Sequence, residues 1–211
     1  MNPLKTLTTT CVAVAALACA ASTAQAAACA TFGAVAAGTA STEDVTYNGA
    51  DSDACVISGV NPQQGPNGNT SGFASSLGSG WSLLAKIDGS GNVSYGSLPG
   101  ITFSSSISGI PGTSGTWTLS ADQAVTLDLV FAMHGSNRSG AFLFDDLSIG
   151  SSGSGTWEIN WPNNGGNIPN YSNLTLFVRD VVVTPVPEPE TYALMLAGLG
   201  AIGFMARRRR T

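Results

Sequence analysis

Residues 125–131 read Val-Thr-Leu-Asp-Leu-Val-Phe, with an apolar side chain at each odd-numbered position. Successive side chains of a β-strand point to opposite faces, so the odd-numbered residues share one face while Thr126 and Asp128 share the other. This alternation predicts a strand with one buried face and one face in water.

The same alternation recurs through the middle of the chain. Three further sets of residues follow it: Trp81, Leu83, Ala85 and Ile87; Trp157, Ile159 and Trp161; and Leu174, Leu176 and Val178. Shorter apolar runs occupy residues 55–58, 101–106, 115–119 and 140–144. Turn residues separate these runs, and residues 27–184 show no convincing helical spacing. We therefore predict an all-β body at residues 27–184, a two-sheet antiparallel sandwich that is jelly-roll-like or immunoglobulin-like.

One long segment of the body offers little to pack. Residues 61–79 are rich in Gly, Asn, Ser and Gln. Segments of this composition usually run over the surface between regular elements. We predict a long mobile loop here.

The chain begins with the layout of a secretory signal peptide. Within residues 1–26, Lys5 supplies a positive region, residues 11–21 an apolar region, and the last residues a small-residue cleavage site. A lipoprotein leader is the alternative, because small residues precede Cys19, although Ala16 stands where a leucine is usual. We predict a cleaved signal helix at residues 1–26 and export of the remainder.

Removal of this leader leaves two cysteines, Cys29 and Cys55. Two cysteines in an exported chain are expected to pair, and closing this loop is worth about 3.5 kcal/mol on a loop-entropy model. A zinc site would need more ligands than the sequence places nearby. We predict a structural Cys29–Cys55 disulfide.

The body is acidic and sparsely charged. Residues 27–185 contain three basic and eleven acidic side chains, a formal charge of −8. Nucleic-acid binding needs lysine and arginine to displace counterions, so it is excluded as a function. The same charge disfavours adhesion to anionic lipid.

The C-terminal 26 residues have three parts in a fixed order. The sequence Val-Pro-Glu-Pro begins at Val186, an uncharged apolar stretch follows at residues 192–206, and four arginines occupy residues 207–210. The apolar stretch predicts a transmembrane helix, short against the roughly 20 residues of a comfortable span, with the arginines holding its end in the cytoplasm. Because proline lacks an N–H, we expect the Pro-Glu-Pro patch to be extended. A permanent tail anchor and a buried core helix are the alternatives.

These three parts, at residues 186–210, resemble the PEP-CTERM sorting signal of Gram-negative bacteria. The resemblance implies processing by an exosortase, a membrane-embedded cysteine transpeptidase, which removes the hydrophobic tail from substrates exported with extracellular polysaccharide. It also implies that Val186, Pro187, Glu188 and Pro189 are recognised. By the positive-inside rule, we expect the membrane stop to be formed by Arg207, Arg208, Arg209 and Arg210. On this basis residues 185–211 form the sorting signal.

The body contains few residues that could act in catalysis. His134 ends a predicted strand, and Ser136 is too close in sequence to be presumed its partner; we expect His134 to face solvent. Asp145 and Asp146 are neighbours on one strand, so they should point to opposite faces. We predict no catalytic residue, no cofactor site and no enzyme activity.

Two binding chemistries remain open. Asp51 and Asp53 are two residues apart, so their carboxylates should lie on the same side of the chain, as they often do in calcium loops. The glycine at the sixth position and the glutamate at the twelfth position of an EF-hand loop are missing. A solvated acidic turn is therefore the first interpretation, and Ca²⁺ is the alternative. Of the four tryptophans, Trp161 precedes Pro162 and is the best candidate for a surface aromatic that contacts sugars.

Our first hypothesis is an exported, non-enzymatic component of the cell surface or extracellular matrix, including biofilm, which an exosortase processes alongside exopolysaccharide. It would contact the membrane through its C-terminal helix before cleavage. The second hypothesis is a carbohydrate-binding module, and the third is a glycan-acting enzyme, which would need two acidic side chains converging in a groove.

Overall fold

The computed structural model describes residues 26–184 and 189–208 of the chain. Apart from Ala26, the predicted signal peptide lies outside these residues, as do Val186, Pro187, Glu188, Arg209 and Arg210 of the predicted sorting signal. The described strands are β1 (Ala30–Phe32), β2 (Thr46–Tyr47), β3 (Ala50–Asp51), β4 (Ala54–Ser58), β5 (Ser82–Ile87), β6 (Val93–Tyr95), β7 (Phe103–Ile107), β8 (Ser114–Ala121), β9 (Val125–Gly135), β10 (Arg138–Ile149), β11 (Ser154–Glu158) and β12 (Asn173–Val183). The described helices are a 3-10 turn (Thr42–Asp44), α1 (Ala74–Leu77) and α2 (Pro189–Arg208). The chain is mostly β, as predicted.

The strands form a large sheet, a small sheet and a two-stranded ribbon. The large sheet has the order β1-β4-β10-β9-β12-β5-β6, and the small sheet has the order β11-β8-β7. Strands β2 and β3 form the ribbon. Neighbours are antiparallel except β1 and β4, which run parallel because residues 33–53 return the chain to the same end of the sheet. The prediction of a purely antiparallel arrangement is therefore wrong at β1.

The inner face of the large sheet packs against the small sheet. The odd-numbered residues of β9 from Val125 to Phe131 are buried there, as the alternation predicts. From the small sheet, Trp117 on β8 reaches this core, and its ring lies 4.8 Å from that of Phe131. Burial of these large aromatic side chains between the two sheets stabilises the arrangement.

The outer face of the large sheet is buried as well. Val130, Thr175 and Phe177 are all fully buried, although the alternation predicts a face in water. Residues 60–81, which we call the cover segment, lie over this face, and the ring of Phe73 lies 5.4 Å from that of Phe177. The cover segment contains α1 and buries Leu77, so the prediction of a mobile loop with little to pack is wrong.

Glycine explains how a polar segment lies so close to the sheet. Gly68 has a φ of +76°, and a Cβ there would come within 2.6 Å of the Phe177 ring. A Cβ at Gly72 would come within 2.5 Å of Ser58 Oγ. Only glycine allows this approach, and its lack of a side chain makes the segment look unpacked in the sequence.

A β-bulge changes the faces of β5. Its pairing with β12 passes from Ala85 to Leu83 and leaves Leu84 as the extra residue. Ala85 therefore packs on the inner core, whereas Leu83 and Trp81 pack on the outer one. The prediction that Trp81, Leu83, Ala85 and Ile87 share one face is wrong for this reason.

Helix α2 begins inside the predicted Pro-Glu-Pro patch. Pro189 is its first residue, where a missing N–H costs nothing because that position has no intrahelical acceptor. The expectation of an extended patch is therefore wrong at Pro189. Within the described residues no helix combines the length and apolarity that crossing a membrane requires, so the predicted transmembrane stretch at residues 192–206 is not confirmed. Charged residues at both ends, Glu190 and Arg207, limit the apolar part of α2.

Candidate functional site

The C-terminal helix comes shortly after the last strand of the body in the sequence, with β12 ending at Val183 and α2 beginning at Pro189. β12 ends at Val183, and the Thr184 amide donates to the Ala124 carbonyl at 2.9 Å, so the body is hydrogen-bonded up to this point. The apolar side chains of α2 that the structure describes are exposed: Leu194, Met195, Leu196, Leu199, Ile202 and Met205. Such exposure is inconsistent with a core helix and marks an interaction surface.

A family model for the PEP-CTERM protein-sorting motif matches residues 185–210. The chain carries a PEP-CTERM sorting signal. The resemblance noted in the sequence is thereby confirmed, and the signal indicates an exported protein that an exosortase sorts. No curated protein and no solved structure matches the chain significantly.

Upstream of the PEP-CTERM signal, the predicted disulfide is present. Cys29 and Cys55 are joined, with 4.7 Å between their Cα atoms and 26 residues of separation. Both are buried in the inner core, and the Cys29 amide donates to the Ala40 carbonyl at 2.9 Å. The bond thus fixes the start of the body to β4.

His134 is buried and does not face solvent. It is 7% exposed and lies beside Ser139, with 2.7 Å between His134 Nδ1 and Ser139 Oγ. The Ser139 hydroxyl donates its only proton to the Val60 carbonyl, so His134 Nδ1 must be the donor to Ser139. A nucleophile–base pair requires the opposite direction, and this pair is therefore structural. Burial also lowers the pKa of His134.

The carboxylates of Asp128 and Asp145 meet at a β-bulge. β10 shifts register between Phe144 and Leu147, and both Asp145 and Asp146 are exposed there. Burial opposes ionisation of Asp128, but the Asp146 amide and the Arg179 guanidinium outweigh it and lower its pKa. A hydrogen bond to Asp128 and repulsion from it raise the pKa of Asp145.

The two residues of the second acidic pair, Asp51 and Asp53, lie in different surroundings. Asp53 Oδ2 accepts a hydrogen bond from the Asp145 amide at 2.8 Å, which ties the carboxylate to β10. Asp51 is exposed in β3. In the part of the chain that the structure describes, no group of three or more His, Cys, Asp or Glu side chains is placed to hold a metal ion.

The tryptophan prediction is wrong about which ring is accessible. Trp161 is fully buried, with its ring 6.0 Å from that of Phe142, because it continues the buried face of β11 beyond the strand end. Trp117 and Trp157 are buried too. Trp81 is the half-buried tryptophan, displaced to the outer face by the β5 bulge.

Tyr95, which no sequence pattern singles out, is 47% exposed at the end of β6. The exposure of Tyr95 could have been predicted, because Gly96 follows it and turn residues flank the strand on both sides. Tyr95 and Trp81 line the same cavity at this edge of the large sheet.

Proposed function

We propose that this chain is an exported, non-enzymatic component of the cell surface or extracellular matrix, processed by an exosortase alongside exopolysaccharide export. The observation that carries the proposal is the PEP-CTERM signal at residues 185–210, which follows directly on a hydrogen-bonded β body. The signal accounts for export and sorting, and the matrix role rests on the character of the body.

The exposed apolar face of α2 supports transient membrane contact. Leu194, Leu196 and Leu199 are each at least 60% exposed, and a helix with this surface gains free energy in lipid. The arginines from Arg207 onward would remain on the cytoplasmic side. The body would then be held at the outer surface of the inner membrane until cleavage.

The body itself is suited to a structural role outside the cell. It is a two-sheet β-sandwich closed by the Cys29–Cys55 disulfide, and disulfides persist in oxidising compartments. Side chains that could act in catalysis have structural partners instead: His134 is bound to Ser139, and Asp128 is bound to Arg179. A carbohydrate-binding module is the alternative function, because Trp81 and Tyr95 line a neutral cavity.

The decisive measurement is the intact mass of the protein from its native host, with and without the exosortase. We expect Arg207–Arg210 to be absent from the mature protein and present when the exosortase is deleted. A Glu188→Ala variant should accumulate unprocessed, whereas Glu190→Ala is the matched control outside the recognition residues and should be processed normally. A protein that retains its arginines in both strains would refute the proposal.

A further inference from the structure

A groove runs along the free edge of the large sheet, on both sides of Tyr95. One cavity of about 410 Å³ is lined by Trp81, Tyr95, Asn67, Ser82 and Ser97, and a second of about 280 Å³ adjoins it across Tyr95 and Ser97. The larger volume falls within the roughly 300–1,000 Å³ range of small-molecule sites. β6 is the last strand of the sheet, so the groove lies at the sheet edge.

The groove is neutral in a strongly acidic protein. None of the described residues that line the two cavities carries a charged side chain. The lining of the larger cavity instead combines the rings of Trp81 and Tyr95 with the amide of Asn67 and the hydroxyls of Ser82 and Ser97. The Arg179 guanidinium that stacks on Trp81 is already paired with the Asp128 carboxylate, so it offers little to an anionic ligand. The lining suits a neutral ligand that has apolar faces and many hydroxyl groups.

Both rings are fixed in place before any ligand arrives. The Trp81 indole N–H donates to the Gly78 carbonyl at 2.6 Å, and the Arg179 guanidinium lies 4.3 Å from the centre of the Trp81 ring. The Tyr95 hydroxyl accepts a hydrogen bond of 2.7 Å from the Ser105 amide. The tyrosine is therefore anchored at its tip while nearly half of its surface is exposed. Rings held in this way lose little conformational entropy on binding.

We propose that Trp81 and Tyr95 form a binding subsite for a neutral polysaccharide. The C–H faces of the sugar rings cover the aromatic rings, and the sugar hydroxyls exchange hydrogen bonds with Asn67 and Ser97. A polymer that spans both cavities contacts Tyr95 at their junction. This inference rests on the proposed function and names the class of matrix component that the body contacts.

The test is affinity electrophoresis of the protein isolated from its host, in gels that contain dextran, galactomannan or xyloglucan, with polygalacturonate as the charged comparison. We expect at least one neutral polymer to retard the protein. Tyr95→Ala should weaken this binding by about tenfold, as loss of a central aromatic contact usually does. Tyr95→Phe keeps the ring and should stay within about threefold of the wild type.

Phe32→Ala is the matched control, because Phe32 is an exposed aromatic on β1, at the opposite edge of the sheet, and its loss should leave retardation unchanged. Circular dichroism checks that each variant is folded. Failure of all three neutral polymers to retard the protein overturns the proposal. Equal retardation of wild type and Tyr95→Ala, or preference for polygalacturonate, overturns it too.

A second copy of the chain is the competing occupant, because an edge strand can pair with another edge. Light scattering that shows a dimer dissociated by Tyr95→Ala would assign the groove to self-association and overturn the sugar subsite. The test is independent of sorting. Normal processing without sugar binding refutes this inference alone, whereas sugar binding without exosortase-dependent mass change refutes the proposed sorting alone.

Discussion

The two faces of the large sheet are buried by different means. On the inner face, a second sheet brings regular strands and large aromatic rings such as Trp117 against Phe131. On the outer face, the cover segment has only one short helix, and side chains of the sheet hold its backbone carbonyls: Ser139 binds Val60, and Lys86 binds Gln63 at 3.1 Å. The inner face is thus stabilised mainly by apolar packing, and the outer face depends equally on hydrogen bonds to a glycine-rich chain.

The largest effect that distinguishes the two faces should come from matched phenylalanine deletions. Phe131 on the inner face and Phe177 on the outer face are both fully buried. We expect Phe131→Ala to lower the free energy of unfolding by about 4 kcal/mol and Phe177→Ala by about 3 kcal/mol. The cavity left by Phe131→Ala lies between two sheets and cannot collapse. The cavity left by Phe177→Ala lies under the cover segment, which can move inward to fill part of it. Equilibrium urea unfolding measures both, and a larger cost at Phe177 would contradict this view.

The disulfide stabilises the inner side alone. Replacing Cys29 and Cys55 together by alanine should cost about 3.5 kcal/mol, because the unfolded chain regains the entropy of the open loop. The melting temperature of the wild type in reductant should fall to that of the double variant, whose own melting temperature should not respond. Protease sensitivity of residues 60–81 should stay unchanged under native conditions. Cleavage there on reduction would show that the two faces are coupled.

Arg179 fastens the cover segment to the outer face. Its Nε lies 2.7 Å from the Asp128 carboxylate, its Nη1 donates to the carbonyls of Leu77 and Ser79, and its guanidinium stacks on Trp81. Arg179→Ala should cost about 3 kcal/mol, because it leaves the buried Asp128 carboxylate without its ion-pair partner. Hydrogen exchange should accelerate in residues 60–81 and remain slow in β8.

Two variants separate the contributions of Arg179. Arg179→Lys keeps the charge but loses the planar donor geometry and the stacked guanidinium, so it should recover only part of the stability. Asp128→Asn removes the ion pair and leaves the stacking intact. If Arg179→Ala accelerated hydrogen exchange equally in β8 and in the cover segment, the stabilising contacts of Arg179 would not be specific to the outer face.

The contrast between the two faces also explains which parts of the fold could be predicted from the sequence. Alternation at residues 125–131 identified the inner face correctly, because apolar burial is recorded in side-chain type. The cover segment was missed, because its fit depends on absent side chains, as at Gly68, and on carbonyl acceptors that every sequence possesses. The bulge in β5 has no recognisable sequence signal either, and it places Trp81 on the outer face.

The two candidate sites, the PEP-CTERM signal and the groove at Tyr95, also differ in how far the sequence predicts them. The PEP-CTERM signal is linear, so the sequence alone was sufficient to find it. The groove is built from Trp81, Asn67 and Tyr95, which come from the cover segment and from β6. Strand pairing and the cover segment bring these residues together, and neither could be read from local patterns. The neighbouring Pro162 instead favours Trp161 as the surface aromatic, and Trp161 is fully buried.

The smallest expected effect is a pH dependence confined to the outer face, at His134. Burial lowers the pKa of His134 below its ordinary value near 6.5, so the folded protein resists a proton that the unfolded chain accepts. Its contribution to stability is therefore complete above pH 6.5 and is lost as the pH falls below that value. A protonated His134 would still donate to Ser139 through Nδ1, so the penalty arises from burying the charge beneath the cover segment, where Ser139 also holds Val60.

Urea unfolding between pH 7.5 and pH 5 should show the wild type losing stability, with a slope of at most about 1.4 kcal/mol per pH unit from this single proton. His134→Gln should be less stable than the wild type at pH 7.5 yet flatter across this range, because glutamine does not titrate. Hydrogen exchange at pH 5 should accelerate first in the cover segment near Val60. An equal slope in His134→Gln would assign the acid sensitivity to the carboxylates around Asp128 and would remove the distinction between the two faces at low pH.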